Sequence, residues 1–188
     1  MYYYGVLLDD GEGVPANKKE ANRYYKMAAD KGHAKAMYYY AATLENGDGV
    51  PVNKTEAAKY YKMAADKGYE MAMNSYGVCL EKGIGVAVNK TEAVKYYKMA
   101  ADKGHTIGMY NYAVCLDNGT GVAVNKAEAV KYYKMAADKG HVNAMYFYAN
   151  RIDYGIGLPV NKPEAAKYYK MAADKGHENS MYYYALML

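Results

Sequence analysis

Four histidines, His33, His105, His141 and His177, stand at multiples of 36 residues, and Tyr69 takes the place of a fifth. Imidazole ligates transition metals, but Zn–N bonds are about 2 Å long and a site must gather several ligands. Equivalent points on stacked helical units lie about 8–10 Å apart. The row therefore predicts a structural role and no shared metal. Cys79 and Cys115 obey the same spacing. A disulfide needs Cα atoms within about 7 Å, so both are expected to be free thiols, which fits a reducing, cytoplasmic setting.

Five Gly-x-Gly turns, Gly11/Gly13, Gly47/Gly49, Gly83/Gly85, Gly119/Gly121 and Gly155/Gly157, invite comparison with phosphate loops. No Gly-Lys-Ser/Thr follows any of them, and a turn present in every unit is structural. Asn53-Lys54-Thr55, Asn89-Lys90-Thr91 and Asn118-Gly119-Thr120 are glycosylation sequons in form only. The first two asparagines are accounted for as helix caps, and the N-terminus MYYYGVLLDD lacks the basic and cleavage regions of a secretory signal. No nucleophile–base pair, metal cluster or cofactor loop occurs once per chain. No catalytic residue, metal or cofactor is expected.

Composition sets wider bounds. Of 188 residues, 52% are apolar, and 24 basic against 20 acidic residues leave a net charge of +4. So small an excess does not by itself imply nucleic acid or a lipid surface. No apolar run approaches the roughly 18 residues of a membrane span.

What positions these residues is a repeat. YYKMAADKG recurs five times, from Tyr24, Tyr60, Tyr96, Tyr132 and Tyr168, without insertion. A fixed period of this length marks a solenoid. Within 33–68, Met37, Tyr40, Ala41 and Leu44 fall at i, i+3, i+4 and i+7, which predicts helix A over 34–46. Gly47 and Gly49 stop it, since glycine tolerates positive φ, and Pro15, Pro51 and Pro159 keep it from resuming. Asn53 and Glu56 form a capping box in which Glu56 reaches back to Asn53. The pair recurs as Asn17/Glu20, Asn89/Glu92, Asn125/Glu128 and Asn161/Glu164. Helix B follows to about Lys67, with Ala57, Tyr60, Tyr61, Ala64 and Ala65 as its apolar stripe and Gly68 as a left-handed cap.

The stretch Ala36–Gly68 resembles the Sel-1-like repeat, a relative of the tetratricopeptide repeat. Ala36, Gly47, Gly49, Val50, Asn53, Ala57, Tyr61, Ala64, Ala65 and Gly68 carry the likeness. Tyr40-Ala41, Leu44 and Tyr60 depart from the family's Leu-Gly, Tyr and Trp, while keeping large beside small. The resemblance implies an all-α, right-handed α–α superhelix. Here it would hold about five 36-residue helix–turn–helix units (1–32, 33–68, 69–104, 105–140, 141–176) and a partial sixth, 177–188, which supplies an extra helix. It implies an adaptor that assembles other proteins. A secreted branch with a disulfide in each repeat is linked to penicillin binding, but this chain lacks those cysteine pairs.

In tetratricopeptide-like stacks the helix A face bearing positions 35, 38, 42, 45 and 46 lines the concave side. Here it would present Tyr2, Tyr38, Asn74, Tyr110, Tyr146 and Tyr182, with Asp9, Glu45, Glu81, Asp117 and Asp153 beside them. Exposed aromatics with adjacent polar groups suit protein recognition; equally, the tyrosines could fill space between stacked A helices. Helix B offers a basic ladder, Arg23/Lys26, Lys59/Lys62, Lys95/Lys98, Lys131/Lys134 and Lys167/Lys170, read as a solvated outer surface. The expectation is a scaffold that binds a protein or peptide segment along the helix A face. The alternatives are an RNA-binding helical repeat, which would need a basic interior, and a secreted hydrolase-like repeat protein. Met1 aligns with Met37, inside helix A, and ENSMYYYALML is a helix A without its B. The chain is therefore expected to belong to a longer array, with uncapped ends able to stack on another copy.

Overall fold

A computed structural model describes residues 1–188. All eleven elements are helices: α1 Tyr2–Asp10, α2 Lys18–Asp30, α3 Ala34–Asn46, α4 Lys54–Asp66, α5 Glu70–Lys82, α6 Lys90–Asp102, α7 Thr106–Asn118, α8 Lys126–Asp138, α9 Val142–Asp153, α10 Lys162–Ala173 and α11 Glu178–Ala185. Odd numbers are A helices and even numbers B helices. The chain forms two compact units, Met1–Tyr96 and Tyr97–Leu188, whose boundary falls within α6. In the first, α1 to α5 each pack on the next in sequence; in the second, α7 to α11 do the same. No helix is long and apolar enough to cross a membrane.

The capping box forms with one change. Asn53 Oδ1 accepts from the Glu56 backbone N–H at 3.1 Å, but Glu56 Oε2 accepts from the Asn53 side-chain amide, not its backbone. The reason is that the Asn53 backbone N–H donates to the Leu44 carbonyl of helix A at 2.8 Å. The same bond, to Leu8, Leu80, Leu116 and Ile152, closes every A–B loop. The A helices start with a device of another kind. His33, His105, His141 and His177 are their N-caps, each Nδ1 accepting from the backbone N–H three residues on at 3.0–3.2 Å. An orphan donor of the first turn is thereby satisfied. Tyr69 has no such acceptor and caps nothing.

The second glycine of each turn does more than turn. Gly85 has φ +70°, and a Cβ there would lie 2.0 Å from the Lys54 carbonyl oxygen. The loop of one repeat thus rests on the first turn of the preceding helix B. Gly13, in the first of the repeats described, would meet nothing within 4 Å.

The core is small against large. Ala57, Ala64, Ala65, Ala136 and Ala165 are buried beneath Tyr61, Tyr133 and Tyr169. Each large side chain so buried contributes about 2 kcal/mol, offset in part by ordering it. On the exposed side, Lys26, Lys62, Lys98, Lys134 and Lys170 bridge the aspartate four residues on. Such surface pairs contribute about 0.2–1 kcal/mol each. The same aspartates accept from a tyrosine of the next helix B, as Asp30 does from Tyr60 at 3.3 Å and Asp66 from Tyr96 at 3.5 Å.

Candidate functional site

The helix A face is built on an aromatic ladder. In the first unit Tyr2 stacks on His33 at 4.8 Å, and Tyr38 meets Tyr69 edge-on at 5.3 Å. In the second, Tyr110 stacks on His141 at 4.4 Å and Tyr146 lies 4.8 Å from His177. Each row tyrosine therefore leans on the N-cap ring of the next A helix. The position after it adds another rung: Tyr39 stacks on Tyr25 and Phe147 on Tyr133, at 5.5 and 5.4 Å, and Tyr183 on Tyr169 at 5.4 Å. Tyr2, Tyr38, Tyr110 and Tyr146 are half-buried. Burial raises the Tyr38 and Tyr110 phenols above the usual range. Tyr182, on α11, is 62% exposed, whereas Asn74 is buried at 8%. The row expected to face a partner is in large part the seam between repeats.

The acidic row divides more sharply. A helix B tyrosine donates to the acid sixteen residues before it: Tyr25 to Asp9 at 3.3 Å, Tyr61 to Glu45 at 2.8 Å and Tyr133 to Asp117 at 3.3 Å. Burial, and then the facing carboxylate, push the phenols of Tyr25, Tyr61 and Tyr133 far up. Asp9, Glu45 and Glu81 are half-buried. Asp117 and Asp153, expected beside them on an open face, are only 2% and 5% exposed. Asp117 takes Arg151 Nη2 at 2.6 Å and Lys126 Nζ at 2.7 Å, and Asp153 takes Lys162 Nζ at 2.5 Å. Those two positions are corrected to buried structural acids. Over each of these two acids the first lysine of helix B folds down, whereas at half-buried Asp9 the corresponding Lys18 bridges Asp48 instead. Burial alone would raise the Asp117 carboxyl, but the bonds from Arg151 and Lys126 outweigh it and hold it below the usual carboxylate range.

Tyr169 is the exception to the pairing. Its hydroxyl is buried without a hydrogen-bond partner, while Asp153 pairs with Lys162. Arg151, Lys126 and Lys162 escaped the sequence reading. Arg151 breaks a column otherwise occupied by Leu7, Thr43, Cys79, Cys115 and Met187, and that lone charge was the available signal. Thr43 answers a partner of its own: it accepts from the buried Asn22 amide and donates to the Tyr40 carbonyl.

Hollows of about 460, 430 and 350 Å³ lie along α8 at Lys131, beside Lys162 and Leu186, and beside Met1 and His33. No three His, Cys, Asp or Glu side chains are grouped so as to hold a metal ion. Cys79 and Cys115 are buried thiols.

The sequence profile of the Sel1 repeat matches residues 1–33, 34–69, 70–105, 106–141 and 142–177, one residue out of phase with the units defined above. The chain belongs to the Sel1 repeat family. As a Sel1 repeat chain it is 33% identical to a Sel1 repeat protein from Oxalobacter formigenes, over 97% of this chain and 73% of that one, with a TM-score of 0.88. It is 27% identical to c5321, a protective antigen of uropathogenic Escherichia coli strains displaying an SLR fold. That match covers all of this Sel1 repeat chain with a TM-score of 0.96, but the chain spans only 40% of the antigen. Helicobacter pylori cysteine rich protein B, 19% identical over 69% of this chain and 96% of its own, shares the fold at a TM-score of 0.56. No curated protein matches the chain.

Proposed function

We propose that this Sel1 repeat chain is a non-enzymatic scaffold that holds a protein segment along its helix A face. The observation that carries the reading is that its helix caps, tyrosine–acid pairs and tyrosine–aspartate stitches recur with the repeat. Caps start the helices, tyrosine–acid pairs join the two helices of a repeat, and tyrosine–aspartate stitches join one repeat to the next. Between them the helix A face keeps half-buried Ala42, Val78, Val114 and Asn150 beside exposed Lys35, Asn46, Ile107 and Asn143. Within each unit, a face of mixed apolar and polar groups supports recognition of a partner. The basic ladder of helix B supports an RNA reading poorly, because one lysine of each pair from α4 onward, and Lys26 in α2, is already bridged to an aspartate.

The test is affinity capture with the intact chain against Ala42→Arg and Val114→Arg, half-buried positions that lie off the aromatic seam. Both variants are expected to keep their helical circular dichroism and to lose the captured partner. Retention of the same partner by both folded variants excludes this face. Retardation of single-stranded RNA at moderate salt would favour the nucleic-acid alternative instead.

A further inference from the structure

Two niches of one design differ in occupancy. In the second unit the Asp117 carboxylate sits before the Tyr133 hydroxyl, with Tyr110 and Phe147 alongside. The chain fills that niche itself. Arg151 places Nε 3.1 Å and Nη2 2.6 Å from Oδ2, with its guanidinium carbon 5.9 Å from the Phe147 ring centre. Seventy-two residues earlier in the numbering, the first unit repeats the frame: Glu45 for Asp117, Tyr61 for Tyr133, Tyr38 for Tyr110. Tyr61 donates to Glu45 at 2.8 Å, and its ring lies 5.6 Å from that of Tyr38.

The two residues that complete the second niche are missing from the first. Ser75 stands where Phe147 would be, and Cys79 stands where Arg151 would be. Both are small, and neither carries charge to Glu45. That carboxylate is half-buried and has no salt bridge. A carboxylate backed by a phenol and flanked by an aromatic ring matches a planar guanidinium, through paired hydrogen bonds and the ring's negative face. An ammonium lacks the fork and is more strongly hydrated, so lysine fits less well.

We propose that the Glu45 niche receives an arginine side chain from an extended basic segment of a partner protein, as Arg151 occupies the Asp117 niche from within the chain. The proposal rests on the helix A face being the binding face. With Cys79 and Ser75 in place of Arg151 and Phe147, Glu45 is left half-buried without an internal guanidinium, where Asp117 is buried beneath one.

The test titrates the isotope-labelled full chain with acetyl-GSRSGSRSG-amide at low salt, following backbone amide resonances. Two control peptides replace arginine by citrulline, its neutral isostere, or by glutamate. The arginine peptide is expected to shift the amides around Tyr38, Glu45 and Ser75, and the citrulline peptide to bind at least about tenfold more weakly. Glu45→Gln should cost a similar factor. The double variant Ser75→Phe/Cys79→Arg, which supplies an internal occupant, should also lose binding while remaining folded. Equal binding of the citrulline peptide, or arginine binding indifferent to Glu45→Gln in a folded protein, overturns the proposal. If the control peptides shift helix A amides as strongly, the binding face stands and the arginine preference falls. If no peptide shifts any helix A amide, both fall.

Discussion

Arg151 grips Asp117 across thirty-four residues of sequence, joining one A helix to the next through a carboxylate that is almost wholly buried. Lys126 and Tyr133 complete the hold on the same group. A buried carboxylate stripped of one partner keeps its desolvation cost and loses part of the compensation. Arg151→Ala is therefore expected to destabilise the chain by about 1.5–3 kcal/mol, the range for hydrogen bonds to charged groups. Urea denaturation followed by circular dichroism measures it, and a loss under 0.5 kcal/mol would show that Lys126 and Tyr133 suffice.

The same contact predicts acid sensitivity. The Asp117 carboxyl is lower in the folded chain than its ordinary value near 3.8. Its contribution to stability is thus complete above the unfolded pKa, and is lost as pH falls through the depressed native one. Asp117→Asn should flatten the stability profile below about pH 4, at the expense of stability at neutral pH. An unaltered acid limb in that variant would assign the acid sensitivity to other groups.

His141 makes a second pH-dependent contribution. Burial lowers its pKa, and its Nδ1 accepts from the Ala144 N–H only while unprotonated. A depressed histidine pKa means that this stability is present above the unfolded value of about 6.5 and declines as pH drops through the folded one. His141→Asn, which keeps an acceptor, should remain close to the parent at pH 7.5 and lose less between pH 7 and 5. His141→Ala should cost about 1 kcal/mol at pH 7.5, before any loss of stacking on Tyr110 is counted.

Glycine to alanine changes separate conformational strain from contact. Gly13 and Gly85 share the left-handed conformation, with φ of +74° and +70°. Gly13→Ala should cost about 1–2 kcal/mol for the backbone alone. Gly85→Ala must in addition displace the first turn of α4, since the new Cβ falls 2.0 Å from the Lys54 oxygen. It is expected to cost at least twice as much, measured by thermal melting. Equal losses would mean that the inter-repeat contact yields freely.

Cys79 should behave as a reporter of opening. Burial pushes its thiol up to about 12, so little thiolate exists at neutral pH and the aromatic disulfide reagents used to count thiols should find it inert. Reaction is expected only at the rate of unfolding, rising with urea. Prompt labelling in native buffer would contradict the packing around α5.

Much of this was legible in the residues alone. Helix A was expected over 34–46 and spans Ala34–Asn46; helix B was expected to close on Gly68, which has φ +88°. These are local properties. Apolar spacing, an asparagine–glutamate pair and a glycine act within a few residues, so they can be read without knowing what packs against them.

The helix A face was less legible because its character depends on neighbours a repeat away. Periodicity placed Glu45 and Asp117 at one position and could not separate them. Whether such an acid stays half-open or is buried beneath Arg151 and Lys126 depends on residues 34 and 9 positions distant. The histidine row likewise had a structural role on spacing grounds, but its service as an N-cap and as the ring beneath Tyr2, Tyr110 and Tyr146 exists only once the next A helix is stacked. Sequence by itself determined the repeat, its helices and its turns, because their energetics are short-range. Only the tertiary structure decided which polar groups remain for a partner, because burial and ion pairing are settled between packed helices rather than within one helix.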